Sequence, residues 1–277
     1  FPGAWYTIAI DVIMPDGRTL QVASVHHYRD QWARAFDVTY EDTSGEQQYV
    51  HQTTYGMSER LLGAIVASHG DDRGLIMPPA VAPIQVIVIP ILSKNGSEEV
   101  MSKAEEIVSK LKSSGIRTKL DSRDIRPGQK YYDWEIKGIP LRIEIGPRDL
   151  ANNAVVCAKR PGEKTSQSLD GLVDAVQNQL DSIGDEMMSN SLAHFNSHLQ
   201  KLPNFTIDGN KLQFSESIQT NKVYEFAFAG NDAEAEMIEK STGLSFLGDS
   251  TKLYDKEQPC VITGTPTTRK IYLAKTY

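Results

Sequence analysis

The chain has 277 residues, 40% hydrophobic and 23% charged, a balance that suits one large or two to three ordinary domains and excludes a disordered tail or a coiled coil. A formal charge of −7 argues against indiscriminate attraction to polyanions, yet residues 115–164 hold eleven Lys or Arg against seven Asp or Glu, a basic island of +4. No apolar run approaches the ~20 residues of a membrane helix, so no membrane partner is expected. The two distant cysteines, Cys157 and Cys260, fit a reducing cytoplasm.

The chain opens at Phe1 without methionine or leader, and the expectation is that an amino-terminal part precedes it. Tyr6, Ile8, Ile10, Val12 and Met14 share one parity and Pro15-Asp16-Gly17 is turn chemistry, which predicts a β-hairpin with a second run over residues 19–26. Two short strands follow, at 36–40 and 48–51, so the sheet reads as antiparallel. Leu61, Leu62, Ile65 and Val66 then give helical spacing over 57–68, a helix expected to be buried. Three prolines within residues 78–83 mark a boundary, because proline removes backbone donors and fixes φ.

Beyond the prolines, strands are predicted at 84–89, 117–120, 140–145 and 154–158. A helix opens at Ser97 with Val100, Ala104, Ile107, Val108 and Leu111 on one face, residues 126–128 read as loop, and a second helix covers 168–183. From Gly184 a further helix to about 202, one at 232–242 and a final small domain complete the chain. The overall expectation is α/β, with domains at 1–82, 83–185 and 186–277.

Arg60 stands out bottom-up: near a helix start it joins a guanidinium, which cannot lose its proton, to unsatisfied backbone amides, a sound place to hold a polyphosphate. The ordinary alternative for a lone arginine is a surface salt bridge. The run around it argues otherwise. Gln52-Thr53-Thr54-Tyr55-Gly56-Met57-Ser58-Glu59-Arg60, followed by His69-Gly70-Asp71-Asp72-Arg73-Gly74-Leu75 and Pro78-Pro79, resembles the third signature motif of class II aminoacyl-tRNA synthetases, in the version of the prolyl-tRNA synthetase family. Gly17-Arg18, Gln21, Ser24 and His26-His27 upstream, and Pro127-Gly128-Gln129-Lys130 with Trp134-Glu135, Lys137-Gly138, Pro140, Arg142, Glu144 and Gly146-Pro147-Arg148-Asp149 downstream, extend the likeness over essentially all of the chain.

The resemblance implies a ligase of the archaeal and eukaryotic type that activates L-proline with ATP and Mg2+ and charges proline tRNA, as a homodimer at full length. It implies Arg60 as the catalytic residue on the outer phosphates, Gln21, Ser24 and Ser58 on the nucleotide, and His26 with Tyr55 and Gly56 at the proline pocket. Glu135, Arg142, Arg148 and Asp149 fall where the family contacts the two anticodon guanines, and that mixture of signs suits guanine, whose edge offers both donors and acceptors. The partner arginine at the α-phosphate belongs to motifs outside these residues. Arg60 and His26 are expected to share one cavity, but strict alternation sets Gln21 on the opposite strand face from Ser24 and His26 unless a bulge near Val22-Ala23 intervenes.

Where many relatives bind structural zinc with four cysteines, this chain aligns Ala229, Glu234, Cys260 and Thr263, so no zinc is expected. His194 and His198 have one-face ligand spacing but no third ligand nearby in sequence. The Tyr277-terminated tail resembles that of relatives in which the last residue docks near the active site. The rival reading is a non-catalytic tRNA-binding or scaffold protein that kept the fold.

Overall fold

The computed structural model describes residues 1–92, 97–160 and 162–277. The predicted hairpin forms from β1 (Tyr6–Ile13) and β2 (Thr19–Arg29). Gly17 makes its turn at φ +82°, and a Cβ there would run into the Asn221 carbonyl, so glycine is required twice over. α1 (Gln31–Phe36) takes Phe36 from the strand expected at 36–40, which starts only at Thr39, and β3 (Thr39–Glu41) pairs with β4 (Gln47–Tyr49) around the Asp42–Gly45 turn. β5 (Gln52–Met57) then joins the hairpin to give the antiparallel order β1-β2-β5.

α2 (Arg60–His69) starts later than expected and buries only Ala64. The helix expected to be buried is only partly covered by these 277 residues, which leave Leu62 and Val66 62% and 52% exposed.

β6 (Val86–Pro90) is buried along its whole length, as a strand covered on both faces must be. α3 (Ser97–Ser113) buries the five residues picked out by spacing, with Glu98 and Glu99 in its first turn and Lys110 and Lys112 in its last, matching the helix dipole. β7 (Thr118–Leu120), α4 (Pro127–Ile136), β8 (Leu141–Ile145), α5 (Pro147–Ala151), β9 (Ala154–Lys159) and β10 (Lys164–Ser168) complete a sheet of order β10-β9-β8-β6-β7, parallel at β7-β6-β8 and antiparallel beyond. Residues 126–128, read as loop, open α4 instead, because Pro127 sits at the first helical position, where its missing donor costs nothing.

α6 (Leu172–His198) runs 27 residues straight through Gly184 and the boundary expected at 185. β11 (Leu199–Lys201), β12 (Phe205–Asp208), β13 (Lys211–Phe214), β14 (Val223–Ala227), α7 (Asp232–Thr242), β15 (Ser245–Asp249), β16 (Gln258–Pro259), β17 (Pro266–Thr267) and β18 (Lys270–Ala274) follow, with β11-β14-β18-β15 as the main sheet. α7 matches its predicted span. It carries the Asn231/Glu234 capping box and ends on Gly243 in the left-handed conformation.

The fold is thus mixed α/β, with antiparallel and mixed sheets. Contacts gather the chain into two compact units, residues 1–64 with 194–277, and residues 65–193. In the first, Ile13 of the hairpin packs with Val223 and Ala274, so the opening and closing stretches share a core; in the second, α3 and α6 cover β6, β8 and β9 through Val86, Leu111, Ile143 and Leu180. Among the described residues, no helix is long and apolar enough to cross a membrane.

Candidate functional site

The register of β1 and β2 resolves the conflict over Gln21. Thr7 faces His26, Ala9 faces Ser24 and Ile10 faces Ala23, but Asp11 faces Gln21, so Val22 is an extra residue in the ladder. This bulge reverses the parity and returns Gln21 to the face that carries Ser24 and His26. β5 adds Gly56 opposite Ser24 and Thr54 opposite His26. Tyr55 faces Val25 and therefore lies on the other side of the sheet, 76% exposed. Its expected place on a common pocket wall is corrected by the two-residue period of the strand.

At the bulged end of this face lies a cavity of about 480 Å³, lined by Asp11, Thr19, Gln21, Arg60, Leu247 and Tyr277 among others. Ser58 donates its amide to the Val22 carbonyl at 3.1 Å, which ties the start of α2 to the bulge. Arg60, the first residue of α2, is exposed and its guanidinium makes no hydrogen bond or ion pair among the described residues. Asp11 was not singled out from sequence. It falls in the polar parity of its strand, where a solvated side chain is the ordinary reading, and only the register reveals it opposite Gln21. Its Oδ1 is buried without a partner among the described residues, and burial raises its pKa.

Farther along the same face, the His26 ring lies between two hydroxyls, Nδ1 at 2.9 Å from Thr7 Oγ1 and Nε2 at 3.0 Å from Ser24 Oγ. Neither Ser24 nor His26 lines the Arg60 cavity, whose wall on this strand pair ends at Ala9 and Gln21. The single cavity expected for Arg60 and His26 is corrected accordingly: they share the sheet face, but the enclosed part stops short of the imidazole. The tail closes the cavity from another side. Thr19 donates to Lys275 O at 2.9 Å, Tyr277 N to Thr19 O at 3.1 Å, and the Tyr277 hydroxyl to Asp16 Oδ2 at 2.8 Å, with Arg18 stacked 3.9 Å from the Tyr277 ring centre.

The second unit holds a cavity of about 290 Å³ whose lining includes Arg73, Tyr131, Trp134, Glu135, Arg142 and Lys164. Below it sits the buried carboxylate of Glu144, which accepts from Tyr131 Oη at 2.9 Å, Arg142 Nε at 2.9 Å and Lys164 Nζ at 2.8 Å. Burial alone would raise the Glu144 pKa, but these three donors hold it below the usual carboxylate range. The arrangement fixes Arg142 on the Tyr131 ring face, 4.2 Å from its centre, and burial together with the bond to Glu144 pushes the phenol pKa up. Glu135 and Arg142 thus line one cavity. Arg148 and Asp149 sit on α5 instead, outside the cavity lining; Asp149 Oδ2 accepts the Gly146 amide at 2.8 Å as a helix cap, and Arg148 is exposed. Tyr131, Glu144 and Lys164 were missed as site residues. A strand residue whose partners lie 13 and 20 positions away has no local signature.

At the positions aligned with zinc ligands, Cys260 Sγ accepts the Ala229 amide at 3.3 Å and the Thr263 amide at 3.5 Å, while Glu234 caps α7. Burial would raise the Cys260 pKa, but hydrogen bonds led by Thr263 outweigh it and lower it. His194 Nε2 donates to the Met14 carbonyl at 3.2 Å and His198 Nδ1 to the His194 carbonyl at 2.8 Å, a use in packing. No group of three or more His, Cys, Asp and Glu that could hold a metal is found among the described residues.

Two family models match parts of the sequence. Residues 2–69 match the family model of the tRNA synthetase class II core domain (G, H, P, S and T), and residues 85–179 match that of the anticodon binding domain. A class II synthetase core and an anticodon-binding domain therefore stand side by side in one sequence.

The relatives narrow the class further. The chain is 44% identical over 269 residues to the proline–tRNA ligase of Methanocorpusculum labreanum (96% of this chain, 55% of the relative), and 40% identical over 283 residues to that of Thermococcus kodakarensis (100% and 58%). Among solved structures it matches Giardia lamblia prolyl-tRNA synthetase in complex with prolyl-adenylate, with TM-score 0.85 and 29% identity, covering 100% of this chain and 60% of that one. Along its whole length the chain is homologous to prolyl-tRNA synthetases, and it spans just over half the length of the curated relatives it matches.

Proposed function

We propose that the chain supplies the ATP-facing end of the catalytic site and the anticodon-reading part of a proline–tRNA ligase. In this reading a carboxylate oxygen of proline attacks the α-phosphorus of ATP and pyrophosphate leaves. The terminal ribose hydroxyl of proline tRNA then takes the prolyl group and AMP leaves. The observation that carries the reading is the bulge at Val22, which brings Gln21 to the cavity lined by Arg60, a residue at a helix start with no side-chain partner among the described residues.

Arg60 neutralises charge on the outer phosphates as it builds up in the transition state, the role of a preorganised cation. Gln21, Ser24 and Ser58 orient the nucleotide, and His26 with Gly56 forms one side of the proline site. The residues also fit Mg2+. The buried Asp11 oxygen, without a partner among the described residues, is a hard donor lining the Arg60 cavity, and that ion is commonly held by one or two carboxylates plus substrate phosphates. When bound, Mg2+ would screen the phosphate charge.

In the second unit, Glu135 and Arg142 read an anticodon base, with Arg148 and Asp149 beside them on α5. We keep the division into a catalytic part at 1–82, an anticodon-binding domain at 83–185 and a tail domain at 186–277. In this reading the whole protein works in the cytoplasm as a homodimer.

The experiment is amino-acid-dependent exchange between pyrophosphate and ATP with the full-length protein. Exchange with proline and not with other amino acids is expected. Absence of exchange above background contradicts the reading and favours a tRNA-binding scaffold.

A further inference from the structure

The connector after α2 carries a mount whose purpose the roles above leave open. Asp71 and Gly74 exchange backbone hydrogen bonds, 3.0 Å in each direction, so Asp72 and Arg73 form the tip of a tight turn. The turn is fixed from three sides. The Asp71 carboxylate takes the Arg160 guanidinium through two bonds of 2.6 and 2.8 Å and caps the Arg73 amide at 2.8 Å. Leu75 N donates to Ile136 O at 3.0 Å and Met77 N to Gly138 O at 3.1 Å. Gly74, at φ +127°, lies so close to the end of α4 that a Cβ would come within 2.6 Å of the Ile136 Cα.

What this mount presents is Arg73. Its guanidinium reaches Glu135 Oε1 at 3.1 Å and lines the same cavity as Tyr131, Arg142 and Lys164. Of the other cations there, Arg160 is committed to Asp71 and to the Gly74 and Glu135 carbonyls, Arg142 Nε and Lys164 to Glu144, and Lys159 donates to the Ser182 hydroxyl at 3.2 Å. Arg73 is tied only to Glu135 among the described residues, with its side chain 61% exposed, and an exposed pair of this kind is cheap to rearrange. Glu135 Oε2 accepts no hydrogen bond from the described residues, so the pair offers an acceptor beside a cluster of donors. That is the pattern a guanine edge requires, with its N1 and N2 donors beside the O6 acceptor.

We propose that Arg73, delivered from outside residues 85–179, is a base-recognition residue of this cavity: it holds Glu135 by one oxygen so that the other accepts from a guanine. The proposal rests on the anticodon reading above and adds a residue to it. The device is a positioning one as far as Glu135 is concerned, and its signature is discrimination rather than stability.

The test uses full-length protein and proline tRNA transcripts carrying guanine or inosine, which lacks the 2-amino group, at each anticodon guanine. Charging kcat/KM, tRNA KM and proline-dependent pyrophosphate exchange are measured. For Arg73→Ala the ratio of exchange to charging efficiency is expected to rise about tenfold, through tRNA KM, with the guanine-over-inosine preference reduced and partly restored in Arg73→Lys. Wild-type KM and preference in Arg73→Ala overturn the proposal, as does an equal loss of exchange and charging, which would make the turn structural. Glu135→Gln and Arg142→Ala are run alongside. If they impair charging and Arg73→Ala does not, only the role of Arg73 fails; if all three charge normally, the anticodon reading fails with it.

Discussion

Arg60 and Arg142 both line a cavity, yet Arg60 makes no hydrogen bond or ion pair among the described residues, whereas Arg142 gives its Nε to a buried carboxylate at 2.9 Å and lies on an aromatic ring. The difference matches two kinds of ligand. A triphosphate is flexible and brings its own negative charge, so a guanidinium with all its donors available can close on it. A base edge presents fixed donors and acceptors at fixed spacing, so the group that reads it gains from being locked in place before the base arrives. On the proposed reading, the first unit neutralises charge and the second measures geometry.

The comparison can be broken first at the reading side. Arg142→Ala is expected to lower charging of proline tRNA by about 10- to 100-fold, the worth of one bidentate base contact, while pyrophosphate exchange continues. Steady-state kinetics of the two steps check it, and equal losses in both would show that the two cavities are not separable.

A smaller effect is expected from Asp71→Asn, which leaves the buried Arg160 without its anionic partner. Asp71 is 38% exposed, so water partly compensates, and the cost is about 2 kcal/mol. The hydrogen bonds from Arg160 depress the Asp71 pKa, so its contribution is complete above the ordinary carboxylate range and is lost as pH falls through that range toward the folded value. Urea unfolding should separate variant and parent near neutral pH and bring them together in strong acid.

The smallest effect has the opposite sign. Burial raises the Asp11 pKa, so its charge costs stability above the folded pKa, and the cost fades as pH falls through that value. Asp11→Asn should stabilise the protein at neutral pH by up to about 1 kcal/mol while weakening the dependence of exchange on Mg2+. A melting temperature unchanged or lowered at neutral pH would remove the functional strain assigned to that carboxylate.

Where a local pattern was unopposed, the sequence could be read closely. β6 was visible because an all-apolar run of this length is a strand covered on both faces, and α3 because five apolar residues keep helical spacing. β10 was invisible: Lys-Thr-Ser-Gln-Ser has no apolar alternation, and it is a strand only because the edge of β9 is there to pair with. α6 was cut in two at Gly184, whose helix cost the rest of the 27-residue helix outweighs. In the site, the conflict over Gln21 was legible and so was its cure by a bulge. The placement of Tyr55 followed from a register no single strand reveals, and the Glu144 network from pairings between distant segments.

The most direct measurement of the central claim is proline-dependent pyrophosphate exchange by the full-length protein with Arg60 and with Arg60→Ala. The account predicts a loss of about 100- to 1,000-fold in kcat, the usual worth of one preorganised group at a developing charge, with the fold intact by circular dichroism. Exchange at the parental rate with saturating ATP would contradict it.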